Sequence, residues 1–213
     1  MVRKETDVGV KRRGRPRAYD RTAALQSATS TFWQSGYSGT SLDSVAAATG
    51  MNAPSLYAAF GNKRAIYLEA LAEYWRMSIA ATQEALAKDV DPYKALMGAY
   101  DAALDIYFSG DGPPRGCFVL GTAVTETVED PEIRKSVAAG LRMIDAAFEA
   151  FFRRARADGR MAPDAAPEAL AILASATMHT IAIRARAGIA RSELRKIARE
   201  AVKAICRDGA DAT

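Results

Sequence analysis

Two stretches near the N-terminus carry the side chains with the most chemistry to offer. Residues 13–17 read Arg13-Gly14-Arg15-Pro16-Arg17, three guanidiniums on a segment whose glycine and proline disfavour a helix. An extended strip of this kind fits a narrow A·T-rich minor groove, where the negative potential is deepest. Residues 52–55, Asn52-Ala53-Pro54-Ser55, join a helix-capping amide to a proline in the first turn. An amide and a hydroxyl at the start of a helix can hydrogen-bond base edges, while Ala53 and Pro54 can pack on thymine methyl groups. Capping and starting a helix uses the same residues, so both readings stand side by side.

Other chemistry is poorly supplied. One histidine, His179, and two distant cysteines, Cys117 and Cys206, leave few bases or nucleophiles. There is no glycine-rich phosphate loop, nucleophile elbow or zinc-binding helix pattern. An enzyme is not expected, nor a cofactor or metal site. His179 lies in an apolar helix, where a lone imidazole is either a hydrogen-bonded core residue or a ligand contact. Cys117 follows a Gly-Pro loop and can begin a helix, where a thiolate sensor of oxidants or electrophiles is favoured. The alternative for Cys117, as for Cys206, is a small buried hydrophobe. The cysteine spacing suits a reducing compartment. With no leader-like apolar stretch and no apolar segment long enough to span a bilayer, the chain reads as cytoplasmic.

The 213 residues are 49% hydrophobic and 25% charged, ordinary for a soluble globular protein and long enough for a small domain fused to a larger one. The net charge of +4 is unevenly placed: residues 1–17 hold seven bases against two acids, a surplus that exceeds the whole. Such an end is either a solubilising tail or an arm for an anionic partner. Between Gly36 and Phe60 the one charge is Asp43. Phosphate contacts there would fall to neutral donors, the hydroxyls of Thr40, Ser41 and Tyr57 and the free amides of a helix start, with Lys63 just beyond. Tyr57 has a competing reading as a packing residue.

These side chains need helices to position them, and the pattern supplies little else. Alternating strand signals are absent, and punctuation at Gly36, Gly50, Gly61, Pro92, residues 110–114, Pro131, residues 159–167 and Gly188 divides the chain into about nine helices. The first starts at an Asp20 cap and turns Leu25, Ala28 and Phe32 inward until Gly36. The second is short, with Thr40 as its cap, Asp43 three residues on, and Leu42, Val45 and Ala46 buried. The third starts at Asn52 and turns Leu56, Tyr57 and Phe60 toward the first two. Two short helices joined by a tight turn behind a longer one make a helix-turn-helix.

The later helices are longer. Val137, Leu141, Ile144, Phe148, Phe151 and Ala155 recur at four- and three-residue steps, a seam packed along a neighbouring helix. The helix from about Pro167 to Gly188 is apolar nearly all round and must be covered on all sides. The last helix carries Leu194, Ile197, Ala198, Ala201 and Ile205 on one stripe. Together these two predict a homodimer through a four-helix interface across a two-fold axis, the alternative being cover from the same chain.

The run Gly36-Tyr37-Ser38-Gly39-Thr40-Ser41-Leu42-Asp43-Ser44-Val45-Ala46, continued by Thr49-Gly50-Met51-Asn52-Ala53-Pro54-Ser55-Leu56-Tyr57-Ala58-Ala59-Phe60-Gly61-Asn62-Lys63, resembles the signature of the tetracycline-repressor (TetR) family. The likeness spans residues 19–71; beyond it only length and helical architecture agree. It implies about nine helices, three for double-stranded operator DNA and six for binding a small-molecule effector and dimerising, with effector weakening DNA binding. It also implies phosphate contacts from Thr40, Tyr57 and Lys63. Many members have histidine where this chain has Ala59, so one potential phosphate or backbone contact is missing.

On this reading residues 1–18 form a basic arm, similar at residues 13–17 to the core of an AT-hook, residues 19–64 the DNA-binding domain, and residues 65–213 the effector and dimerisation domain. Trp75, Tyr100, Tyr107, Cys117, Phe118, Met143, Met178 and His179 are the expected lining of an effector pocket, and their character suggests a hydrophobic or aromatic effector. The rival reading is an effector-blind architectural protein for A·T-rich DNA.

Overall fold

The computed structural model describes residues 20–207; Arg13, Arg15 and Arg17 lie outside them. Within that span the chain forms α1 (Arg21–Ser35), α2 (Leu42–Thr49), α3 (Ala53–Phe60), α4 (Lys63–Lys88), α5 (Pro92–Tyr107), α6 (Phe118–Thr122), a 3-10 turn (Thr125–Thr127), α7 (Pro131–Ala157), α8 (Pro167–Arg186) and α9 (Arg191–Arg207). The nine α-helices and the lack of strands among the described residues match the all-α class that the sequence predicts.

Local chemistry sets the boundaries of the first three helices. The Asp20 carboxylate accepts the Thr22 and Ala23 amides at 2.9 and 3.2 Å and caps α1, which ends at Gly36 with φ 76°, a value that favours glycine. Ala24, Ala28, Phe32 and Trp33 are its buried face. The cap of α2 differs from expectation. Ser41, not Thr40, holds the position: its hydroxyl accepts the Ser44 amide at 3.0 Å and its own amide donates to the Ser44 hydroxyl at 3.1 Å, a reciprocal capping box. Thr40 is only 2% exposed, and its hydroxyl donates to the Gly36 carbonyl at 2.7 Å. That bond removes it from capping.

Gly50 turns the chain with left-handed geometry, φ 66° and ψ 14°, and the Asn52 side chain accepts the Ser55 amide at 2.9 Å to cap α3. Leu56 and Phe60 are buried as expected, but Tyr57 is not turned inward; it is 52% exposed. Residues 56 and 60 share a face at four-residue spacing, and residue 57 falls about 100° away from it.

The long α4 carries this three-helix unit. Ile66, Tyr67, Ala70, Leu71 and Tyr74 are buried, and α4 packs on α1, α5 and α7. The seam on α7 is where it was expected, with Val137, Ile144, Phe148, Phe151 and Ala155 buried against α4 and α8. Full burial of such a side chain is worth about 1.5–3 kcal/mol. Gly140 belongs to that contact: a Cβ there would lie 2.0 Å from Trp75 Cε2, so the absent side chain lets the indole cross α7.

In α8 the inward side presents Leu170, Ala174, Met178, Ile181, Ala182 and Ala185, whereas Ile172, Leu173 and Ile183 are 55%, 54% and 60% exposed. The apolar stripe of α9 is covered within the chain: Leu194, Ala198, Val202 and Ile205 are buried, and α9 packs on α5 and α8. No described helix is long and apolar enough to cross a membrane.

Candidate nucleic-acid interface

The α2-turn-α3 unit presents one face to solvent. Ser41, Asn52, Pro54 and Tyr57 are exposed, and Ala53 and Ser55 half-buried. With its Oδ1 given to the Ser55 amide, Asn52 keeps its amide N–H donors for a partner. The Ser41 hydroxyl accepts the Ser44 amide and keeps its own proton to donate, and the Tyr57 hydroxyl is solvent-facing. A helix start with outward amide and hydroxyl groups is a form that fits a major groove, with the neighbouring hydroxyls aimed at its phosphate walls.

Thr40 does not join this face, because its hydroxyl proton is given to Gly36. Lys63 is also partly engaged. Its ammonium donates to the carbonyls of Tyr37 and Thr40 at 2.9 and 2.8 Å and sits 4.3 Å from the Tyr37 ring centroid. It pins the residues leading into α2 to the first turn of α4, and one of its three donors stays free.

Electrostatically the unit is nearly neutral. Residues 20–64 contain three bases, Arg21, Lys63 and Arg64, and two acids. Arg21 pairs with Glu69 at 2.8 Å and lies over the Phe60 ring. Arg64 pairs with Asp130 at 2.5 Å and Glu132 at 2.7 Å. Each cation of the unit is thus committed to a partner inside the molecule. Contacts that tie the unit to the remaining helices include Ser38 to Glu126 at 2.8 Å, Arg64 to Asp130 and Glu132, Arg115 Nη1 to the Ser30 hydroxyl at 3.2 Å, and Arg186 Nη1 to the Trp33 carbonyl at 3.2 Å.

The residues expected around an effector fall into separate groups. Cys117 and Phe118 begin α6 beside Tyr107 and Tyr74; the Tyr74 and Phe118 rings are 5.5 Å apart, and burial, then Cys117 and Tyr107, push the Tyr74 hydroxyl well up. Burial likewise raises the Cys117 thiol, which opposes a reactive thiolate. Tyr100 is fully buried and donates to the Ala174 carbonyl at 3.0 Å. Met178 is buried on α8, and Trp75 covers Gly140. Met143 is 54% exposed and lines a groove between α4 and α7. His179 is half-buried; burial lowers its pKa and Asp145 opposes that shift. Among the described residues no three His, Cys, Asp or Glu side chains gather as a metal site would require. Sequence reasoning passed over Ser44, Trp33, Arg115 and Arg186; only Ser44 had a readable signal, its place three residues after Ser41.

Comparison with known proteins agrees with this geometry. Residues 24–70 match the family model described as bacterial regulatory proteins, tetR family, and residues 92–201 the model for the tetracyclin repressor-like C-terminal domain. The chain is 30% identical over 198 residues to the HTH-type transcriptional repressor ComR of Escherichia coli strain K12, covering 93% of this chain and 94% of ComR. It is 32% identical to a cysteine-substituted form of the TetR family transcriptional regulator CifR, solved with 26-bp double-strand operator DNA; the match covers 90% of this chain and 99% of CifR with a TM-score of 0.82. A TetR-family regulator from Cytophaga hutchinsonii, 20% identical over 90% of this chain and 95% of its own, shares the fold with a TM-score of 0.77. The chain therefore belongs to the TetR family of bacterial transcriptional regulators. Its relatives are regulators and not enzymes.

Proposed function

We propose that the protein is a repressor that binds a palindromic operator as a homodimer and is released by a small hydrophobic or aromatic effector. The observation that carries the reading is the outward set on α2 and α3, in which Asn52 and Pro54 address the bases, with Ala53 and Ser55 beside them, and Ser41 and Tyr57 the phosphates. Lys63 adds charge at the edge of this face. The operator-bound CifR of the same fold supports it. Residues 19–64 act as the reading unit and 65–213 as the effector and dimerisation unit; the boundary falls in the first turn of α4. Residues 1–18 act as an arm whose Arg13, Arg15 and Arg17 enter the flanking minor groove. Acting on the chromosome, the protein works in the cytoplasm.

The dimer rests on α8. Ile172, Leu173 and Ile183 leave an apolar strip in water, a feature that marks an interaction surface. A second copy related by a two-fold axis would bury it against its own equivalent, with the outer side of α9 at the rim. For the effector, Tyr107, Cys117 and Phe118 around Tyr74 are the densest cluster of the expected lining, with Tyr100, Met178 and His179 on the neighbouring helices. Trp75 and Met143 flank it on α4 and α7.

Titration against palindromic and random duplexes of equal length tests the reading. One palindrome, with half-site centres about 34–36 Å apart or a multiple of that, should bind far more tightly than random sequence. Equal affinity for any A·T-rich duplex would make the architectural alternative correct.

A further inference from the structure

Two clefts open on either side of the Trp33–Arg115 stack, where α1 and α4 meet the loop between α5 and α6. One, of about 610 Å³, is lined by that loop, α1 and Arg186; the other, of about 360 Å³, lies between α1 and α4 with Leu25, Ala70, Met77 and Tyr74 on its walls. Both share Ser30, Trp33 and Arg115. Clefts of this size accommodate small organic molecules.

Their shared wall holds an uncompensated charge. The Arg115 guanidinium lies 4.3 Å from the Trp33 ring centroid and donates to the Ser30 and Ser109 hydroxyls at 3.2 and 3.0 Å. Its Nε is buried and has no acceptor, and burial lowers its pKa. No carboxylate among the described residues pairs with it: Asp111 lines the larger cleft without reaching it, Glu73 in the smaller is taken by Arg76, and Arg21 there is taken by Glu69. Trp33 Nε1 is likewise a buried donor without a partner; the Tyr74 ring centroid lies 5.3 Å from that of Trp33, with the Tyr74 hydroxyl within reach of Cys117 and the Phe118 backbone. Trp33 and Tyr74 are 5% and 3% exposed. Unpaired buried donors of this kind are costly, and the Arg115 Nε–H is one of them although the residue as a whole is half-buried.

We propose that this site binds a small organic acid, with its carboxylate on the Arg115 fork and the Trp33 donor and its apolar body against Leu25, Ala70 and Met77. A planar guanidinium matches a carboxylate bidentately. The proposal rests on the effector-responsive reading above and deepens it by naming the ligand class and by moving its seat from the Tyr107, Cys117 and Phe118 cluster to the adjoining clefts, the smaller of which shares Tyr74 with it. The place also supplies a route to the DNA face. Arg186 of α8 donates from one Nη1 to the carbonyls of both Trp33 and Arg115, at 3.2 and 3.1 Å, and packs on Gly121, where a Cβ would lie 2.6 Å from it. Occupancy of the clefts therefore acts at the joint between α8 and α1, the helix against which α2 packs.

The test uses the full chain without DNA. In Trp75→Phe, Trp33 is the remaining indole, and its fluorescence reports the site directly. Benzoate should quench it saturably, with benzamide binding at least about tenfold more weakly, since each tenfold is about 1.4 kcal/mol. Arg115→Gln should lose the benzoate response by a similar factor while its circular dichroism is unchanged. If Arg115→Gln does not fold, the benzoate and benzamide comparison on the parent decides alone. Equal affinity for acid and amide, no saturable quench by benzoate, or an equal response to inorganic phosphate overturns the proposal. Failure of the operator reading would appear elsewhere, in the duplex titration made with no acid present.

Discussion

Arg64 grips Asp130 through two parallel bonds, Nε to Oδ2 at 2.5 Å and Nη2 to Oδ1 at 2.9 Å, and so joins the first turn of α4 to the cap of α7. The same Asp130 Oδ1 accepts the Glu132 and Ile133 amides. A single carboxylate thus fastens the α2-α3 unit to the larger helical body and starts its longest helix.

The first prediction follows from that double duty. Arg64 foremost, then the Ile133 and Glu132 amides, hold the Asp130 carboxyl well below the usual carboxylate range. A depressed folded pKa gives stability that is complete above the unfolded value of about 3.9 and is lost as the pH falls below it. Asp130→Asn keeps the cap and removes the charge, so its melting temperature should be lower near neutrality and fall less steeply in acid. Asp130→Ala should lose about 1 kcal/mol more through the cap. Superimposable melting-temperature profiles for parent and Asp130→Asn would contradict this.

Tyr57 offers a cleaner functional substitution. Its hydroxyl is solvent-facing, so Tyr57→Phe should leave the melting temperature unchanged. Operator affinity should fall by about 0.5–1.5 kcal/mol, the value of one neutral hydrogen bond. The salt dependence should keep its slope, because no charge is removed. Unchanged operator affinity would return Tyr57 to a passive surface role.

Asn52 needs a substitution that keeps the cap. Asn52→Ser retains an oxygen for the Ser55 amide and removes the amide donors. Discrimination at one base pair of each half-site should drop by about 1–3 kcal/mol, read by competition among single-base operator variants. A uniform loss across all variants would mean that Asn52 only starts the helix.

The outer face of α8 predicts the state of assembly. Leu173→Glu places a charge where a second copy would seat. Sedimentation should show a monomer of intact helicity, and binding to a palindrome should lose its preference over a half-site. A Leu173→Glu dimer would place the contact elsewhere.

Much of the reading unit was legible because its punctuation is local. Asp20, Gly36, Gly50, Asn52 and Gly61 each act within four residues, and the structure uses every one of them as a boundary. The cap of α2 was misplaced by one residue, at Thr40 where the structure uses Ser41, because a neighbouring threonine and serine are both good caps. What decides between them is a carbonyl at Gly36, reached once the chain has turned. The α7 seam was legible from spacing alone, whereas the stripe on α9 gave no sign of whether its cover comes from α5 and α8 or from another chain. The Trp33–Arg115–Arg186 joint was not legible at all. Its hydrogen bonds span 153 and 71 residues, and each member alone looks like an ordinary surface or core residue.

The internal commitment of Arg21, Lys63 and Arg64 has a kinetic consequence. A unit whose cations are largely held inside the molecule gains little from ionic strength in either direction, so its preference among sequences should survive in brine. Adhesion then belongs to the N-terminal arginines, and added salt should shorten how long the protein stays on DNA without changing where it settles.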